Sequence, residues 1–143
     1  MASFIYFKEN EIVFNNSQFR NTITFVSEVA RKMATESEIE YVEKMENNVE
    51  NYWPGMSFDI ETDFPELNEK KFWTKIFYET AREIFERKIG IQDYYFWQTQ
   101  RIYQIYGTGN VFEKAVREIE PRWTPDIRDY LEFDEWTKNR NEE

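Results

Sequence analysis

The chain has 143 residues, about the modal size of a single domain, and a domain of this length buries roughly 68–70% of the surface its unfolded chain exposes. It holds no cysteine and no histidine, which excludes disulfides, thiolate metal sites, cysteine nucleophiles, Ser-His-Asp catalysis and most zinc chemistry. Its net charge of −10 comes from 28 acids against 18 bases, while 41% apolar residues and 27 aromatics place it with folded rather than disordered chains.

In chain order, "FIYF-KENE-IVF" (Phe4 to Phe14) reads as two short aromatic and β-branched strands around a polar turn, a β-hairpin. Phe19, Ile23, Val26, Ala30 and Met33 then recur at helical spacing behind Asn16 and Ser17 as caps, predicting a helix over 18–34. Ser37 with Glu40 has capping-box spacing and opens a second helix that runs to the Pro54-Gly55 break. At 100° per residue, Ile39, Val42, Met45, Val49, Tyr52 and Trp53 share one side of it. Glu36, Glu40, Glu43, Asn47 and Glu50 fall within about 40° of a line on the other, an acid ridge.

The stretch "SFDIETDF", Ser57 to Phe64, alternates apolar and acidic residues, so a strand there sends Asp59, Glu61 and Asp63 to one face as an acid ledge. Asn68 caps a third helix to Lys88, with Phe72, Ile76, Ala81, Ile84 and Phe85 inward and Gly90 as a stop. "DYYFWQTQRIYQIYG" (Asp93 to Gly107) mixes strand propensity with a helical stripe and is read as a helix. Its consecutive aromatics cannot all face one core, so either neighbouring helices cover them on two sides or Tyr94 and Trp97 serve as interface anchors. Further helices are expected from Asn110 to Pro121 and from Thr124-Pro125-Asp126 onward. The predicted fold is mainly α (α+β): a bundle of five to six helices with a small N-terminal hairpin and one short acidic strand. Residues 1–137 form one globular domain and 138–143 a frayed tail.

Chemistry-bearing motifs fail on spacing. Read as a calcium loop, "DIETDFPELNEK" puts Phe64 where the tight turn needs glycine and Lys70 where a bidentate Glu belongs. "GTGN", Gly107 to Asn110, lacks the spacing of either glycine-rich phosphate loop. No catalytic residue, metal site or cofactor is assigned. No run is apolar enough to span a bilayer and the N-terminus lacks a basic segment before an apolar one, so a cytoplasmic protein without membrane contact is expected.

The charge is strongly polarised. From Glu36 to Glu66 ten acidic residues face Lys44 alone, a local charge of −9 that leaves about −1 for the rest. Such a side repels a nucleic-acid backbone and attracts a basic protein. In general make-up, being small, acidic, aromatic-rich and free of cysteine, the chain resembles bacterial toxin-immunity proteins, although no motif carries the likeness. The resemblance implies an inhibitor that docks on a basic partner such as a cognate toxin. The partner-binding candidates are Glu36, Glu40, Glu43, Glu50, Asp59, Glu61, Asp63, Tyr94 and Trp97. A phage-type nucleic-acid mimic and a carboxylate-based enzyme are the alternative readings, and exposed aromatics would equally serve a homodimer.

Overall fold

Asn15 sets the start of the fold because it serves two elements at once. It ends the second strand and caps the first helix: its Oδ1 accepts from the Gln18 N–H at 2.8 Å while the Gln18 side chain accepts from the Asn15 N–H at 3.3 Å. The chain thus passes from β2 (Asn10–Asn15) into α1 (Asn16–Met33) with no loop between them. The computed structural model describes residues 2–7, 10–53, 55 and 57–87. The helices expected after residue 88 and the tail at 138–143 lie outside them.

The hairpin is present. β1 (Ala2–Phe7) pairs antiparallel with β2, Ile5 opposite Ile12 and Ser3 opposite Phe14, and it also pairs in parallel with β3 (Ser57–Asp59), Ile5 opposite Phe58. The order β2-β1-β3 makes β1 the centre of a three-stranded mixed sheet. Ile5, Phe14 and Phe58 all enter the core from one face, as strand alternation requires. The remaining elements are α2 (Ile39–Tyr52), a single helical turn α3 (Ile60–Asp63) and α4 (Leu67–Arg87).

This architecture corrects the expected bundle of five to six helices. The described residues form an α+β fold in which the sheet is a full layer of the core and three long helices accompany it. The pattern of single segments cannot report the cause, a parallel pairing between strands some fifty residues apart in sequence. Several local expectations also shift: Asn15, not Asn16 or Ser17, caps α1, and Asn68 lies inside α4 rather than capping it. α2 begins at Ile39, and it is Glu38, not Glu40, that reaches back, its Oε1 accepting from the Thr35 N–H at 2.9 Å. The strand of "SFDIETDF" ends at Asp59, so Asp59, Glu61 and Asp63 do not share a strand face.

Core packing explains that early stop. Fully extended, Phe58 and Phe64 would lie about 20 Å apart. With α3 coiled between them their rings are 5.8 Å apart, and both are buried. Asp63 helps close the turn, its Oδ2 accepting from the Asp59 N–H at 2.7 Å, and the buried Lys70 ammonium donates to the Phe64 carbonyl. α4 is buried on more than the expected stripe: Trp73, Thr74, Phe77 and Thr80 join Phe72, Ile76 and Ala81. Thr74 and Thr80 tolerate this because their hydroxyls donate to the carbonyls of Lys70 and Ile76 four residues back, each at 2.7 Å. Phe64→Ala should therefore lower unfolding free energy by about 3–5 kcal/mol, while Glu40→Gln stays within about 0.5 kcal/mol, both read from urea midpoints.

Candidate functional site

α1 and α2 form a helical hairpin closed by a short connection, and their cross-contacts fix the direction. Arg31 pairs with Glu46, whereas Arg20 stacks over Trp53, so α2 ascends as α1 descends. The apolar seam between them holds Ile23, Val26 and Ala30 of α1 with Val42 and Met45 of α2, all buried. Above that seam the helices leave a cleft of about 480 Å³.

Each end of the cleft is pinned by a guanidinium. At one end Arg31 binds Glu46 side-on, Nε donating to Oε1 at 2.7 Å and Nη2 to Oε2 at 3.0 Å. This hydrogen bond first, then the Glu46 charge, with a smaller contribution from Glu43, holds the Arg31 guanidinium even further above its ordinary range. At the other end the Arg20 guanidinium lies 4.8 Å from the centre of the Trp53 ring. That indole is fixed in turn: Nε1 donates to the Asn16 carbonyl at 3.0 Å. Asn16 Oδ1 also accepts from the Ser3 hydroxyl at 3.0 Å and the Gly55 N–H at 3.1 Å, so one residue ties β1, the start of α1 and the chain beyond α2. Gly55 takes φ 81°, a left-handed conformation that suits glycine at the break predicted there.

The acid ridge runs along the exposed side of α2, and its Glu50 end also lines the cleft. Glu40, Glu43, Asn47 and Glu50 are exposed on the helix, and Glu36 is exposed in the turn before it. The three cations nearest in sequence act elsewhere, Lys32 through an ion pair with Glu83 at 3.3 Å. Lys44 donates to the Asp63 carbonyl at 2.9 Å and to Glu69 Oε1 at 3.2 Å, compensating a carboxylate only 4% exposed at the start of α4. Arg31 is held by Glu46. Among the described residues none of Glu36, Glu40, Glu43 or Glu50 has an ion-pair partner.

The ledge does not assemble beside this ridge. Asp59 is half-buried at the end of β3, Glu61 lies within α3, and the Asp63 carboxylate is turned onto the Asp59 backbone. Tyr94 and Trp97 fall outside the described residues. The cleft was the feature missed, though its signal was in the sequence: Arg20, Thr24, Ser27, Glu28 and Arg31 recur at helical spacing as a polar stripe on α1. Among the described residues no group of three or more acids converges to hold a metal ion, and no helix is long and apolar enough to cross a membrane.

Tyr41 reports the local field. Half-buried against Phe72, with ring centres 5.6 Å apart, its phenol titrates above the ordinary range. Burial is the main cause, followed by the charges of Glu66, Glu69, Glu40 and Glu38. A phenol raised in the folded state keeps its proton while the unfolded chain ionises, so this contribution is complete below about pH 10 and is lost as pH rises above it. Urea midpoints measured from about pH 9 to about pH 11 should fall less steeply for Tyr41→Phe than for the parent chain. Compared with protein-family models, curated proteins and solved structures, the chain matches none.

Proposed function

We propose that the protein is a non-enzymatic binding protein that neutralises a basic protein target, in the manner of toxin immunity, by docking the α2 ridge and the α1–α2 face onto it. One observation carries this reading: four exposed carboxylates, Glu36, Glu40, Glu43 and Glu50, have no ion-pair partner among the described residues, while the neighbouring cations Lys32, Arg31 and Lys44 pair with other groups. Like charges at helical neighbour spacing cost a few tenths of a kcal/mol each, so the ridge is a small burden on the free protein. A basic surface opposite would relieve it and accelerate encounter, with an effect that weakens as salt rises. A chain without cysteine suits the reducing cytoplasm, where an inhibitor of an internally acting toxin works.

The ridge is also short. α2 has 14 residues and spans roughly 21 Å, a length that fits a patch on a protein better than a run of nucleic-acid backbone.

The test is parallel capture from the native lysate with the tagged parent chain and with a variant carrying Glu36→Gln, Glu40→Gln, Glu43→Gln and Glu50→Gln. A basic protein retained by the parent at low salt, released at high salt, lost by the variant and inhibited in its own activity by the parent alone is the expected result. Retention by both chains, or of no basic protein, overturns the reading, provided circular dichroism shows the variant folded.

A further inference from the structure

We infer that the α1–α2 cleft is a socket for one arginine side chain of the basic partner; this rests on the docking reading above and names the chemistry of its anchor. One turn from the Arg31–Glu46 pair, toward Trp53, the antiparallel register brings Glu28 of α1 and Glu50 of α2 into the walls of the same cleft. Both are exposed, and neither has an ion-pair partner among the described residues.

The cleft already shows which cation suits it. Its two ends hold guanidinium groups, one gripped side-on by a carboxylate and one stacked on an indole, and these are the two modes in which arginine differs from lysine. Between them lie two carboxylates over the apolar Ile23 and Val49. A guanidinium entering there bridges Glu28 and Glu50 with its fork while its stem covers Ile23 and Val49. A compact, strongly hydrated ammonium uses the charge but not the apolar walls. The volume of about 480 Å³ falls within the range of about 300–1,000 Å³ typical of pockets that bind discrete groups. Because the walls are pinned at both ends, little ordering remains to be done on binding.

The socket is distinguishable from a structural feature because neither carboxylate has an ion pair to lose among the described residues. Neutralising them should leave thermal stability unchanged or raise it while weakening the complex, the opposite of removing a structural pair.

The experiment is an NMR titration of the full-length, isotope-labelled chain with Nα-acetylarginine amide, with the corresponding lysine amide, and with a hexa-arginine peptide. The arginine amide should perturb the Ser27, Glu28, Val49 and Glu50 amides at several-fold lower concentration than the lysine amide. Glu28→Gln and Glu50→Gln should each weaken it about threefold without lowering the melting temperature, and Glu40→Gln with Glu43→Gln should leave it unaltered. Equal response to both amides, no response at these positions, or indifference to Glu28→Gln and Glu50→Gln overturns the socket. The peptide separates the two claims. Perturbation of Glu36, Glu40 and Glu43 with a silent cleft sinks the socket and leaves the docking ridge standing. Cleft perturbation with a silent ridge does the reverse, and silence at both sites overturns both.

Discussion

A continuous chain of aromatic contacts through the core holds the described elements in place. It runs from Phe14 of β2 to Phe19 of α1 at 5.5 Å, on to Phe58 of β3 at 6.0 Å, and across α3 to Phe64 at 5.8 Å. From there it reaches Trp73 of α4 at 5.9 Å, Phe72 at 5.0 Å and finally Tyr41 of α2 at 5.6 Å. Several of these contacts are edge-on or tilted, the geometries favoured by ring quadrupoles, and such pairs add about 0.5–1.5 kcal/mol each beyond their buried area. The position of β3 follows from this chain. Three strand residues pair with β1 only long enough to set Phe58 inward, after which the backbone coils so that Phe64 enters the same core.

The acids of residues 57–64 acquire their roles from that constraint. Placed between two core aromatics, Asp63 becomes a local brace for the Asp59 amide. Lys44 is drawn toward the same junction, to the Asp63 carbonyl and to a nearly buried Glu69. Burying Glu69 demands a cation, and Lys44 is the base that answers it from within a segment holding ten acids. The exposed side of α2 is more negative than its composition alone implies, because its one lysine is committed to the fold.

How much of this could be read in the chain depends on the range of the interaction. The hairpin, α1, α2 and α4 are legible because period-two and period-3.6 patterns are local, and Phe19, Ile23, Val42, Met45, Phe72 and Ile76 sit in the core as their spacing implies. "SFDIETDF" misled because alternation is also what a short strand followed by one helical turn displays when both ends must be apolar. The wider burial of α4 was hidden by polar residues whose groups are satisfied internally: Thr74 and Thr80 by their own helix, Glu69 by Lys44, and Lys70 by the Phe64 carbonyl. The acid ridge was legible outright. The cleft is legible only by half: the polar stripe on α1 is in the sequence, but the cavity exists only where two separately patterned faces meet.

The site is supported by two kinds of interaction with different sensitivity to salt. Arg31 is exposed and its pair with Glu46 sits at the surface, so added salt screens it. The hydrogen bond from the Trp53 indole to the Asn16 carbonyl and the apolar seam of Val26, Ala30, Val42 and Met45 carry no net charge and persist. Spacing between α1 and α2 therefore rests on burial rather than on the ion pair. In the docking proposed above, salt acts on the attraction between the ridge and a basic partner while the groove keeps its shape. A salt-dependent affinity of this protein reports charge at the interface, not loss of the surface that presents it.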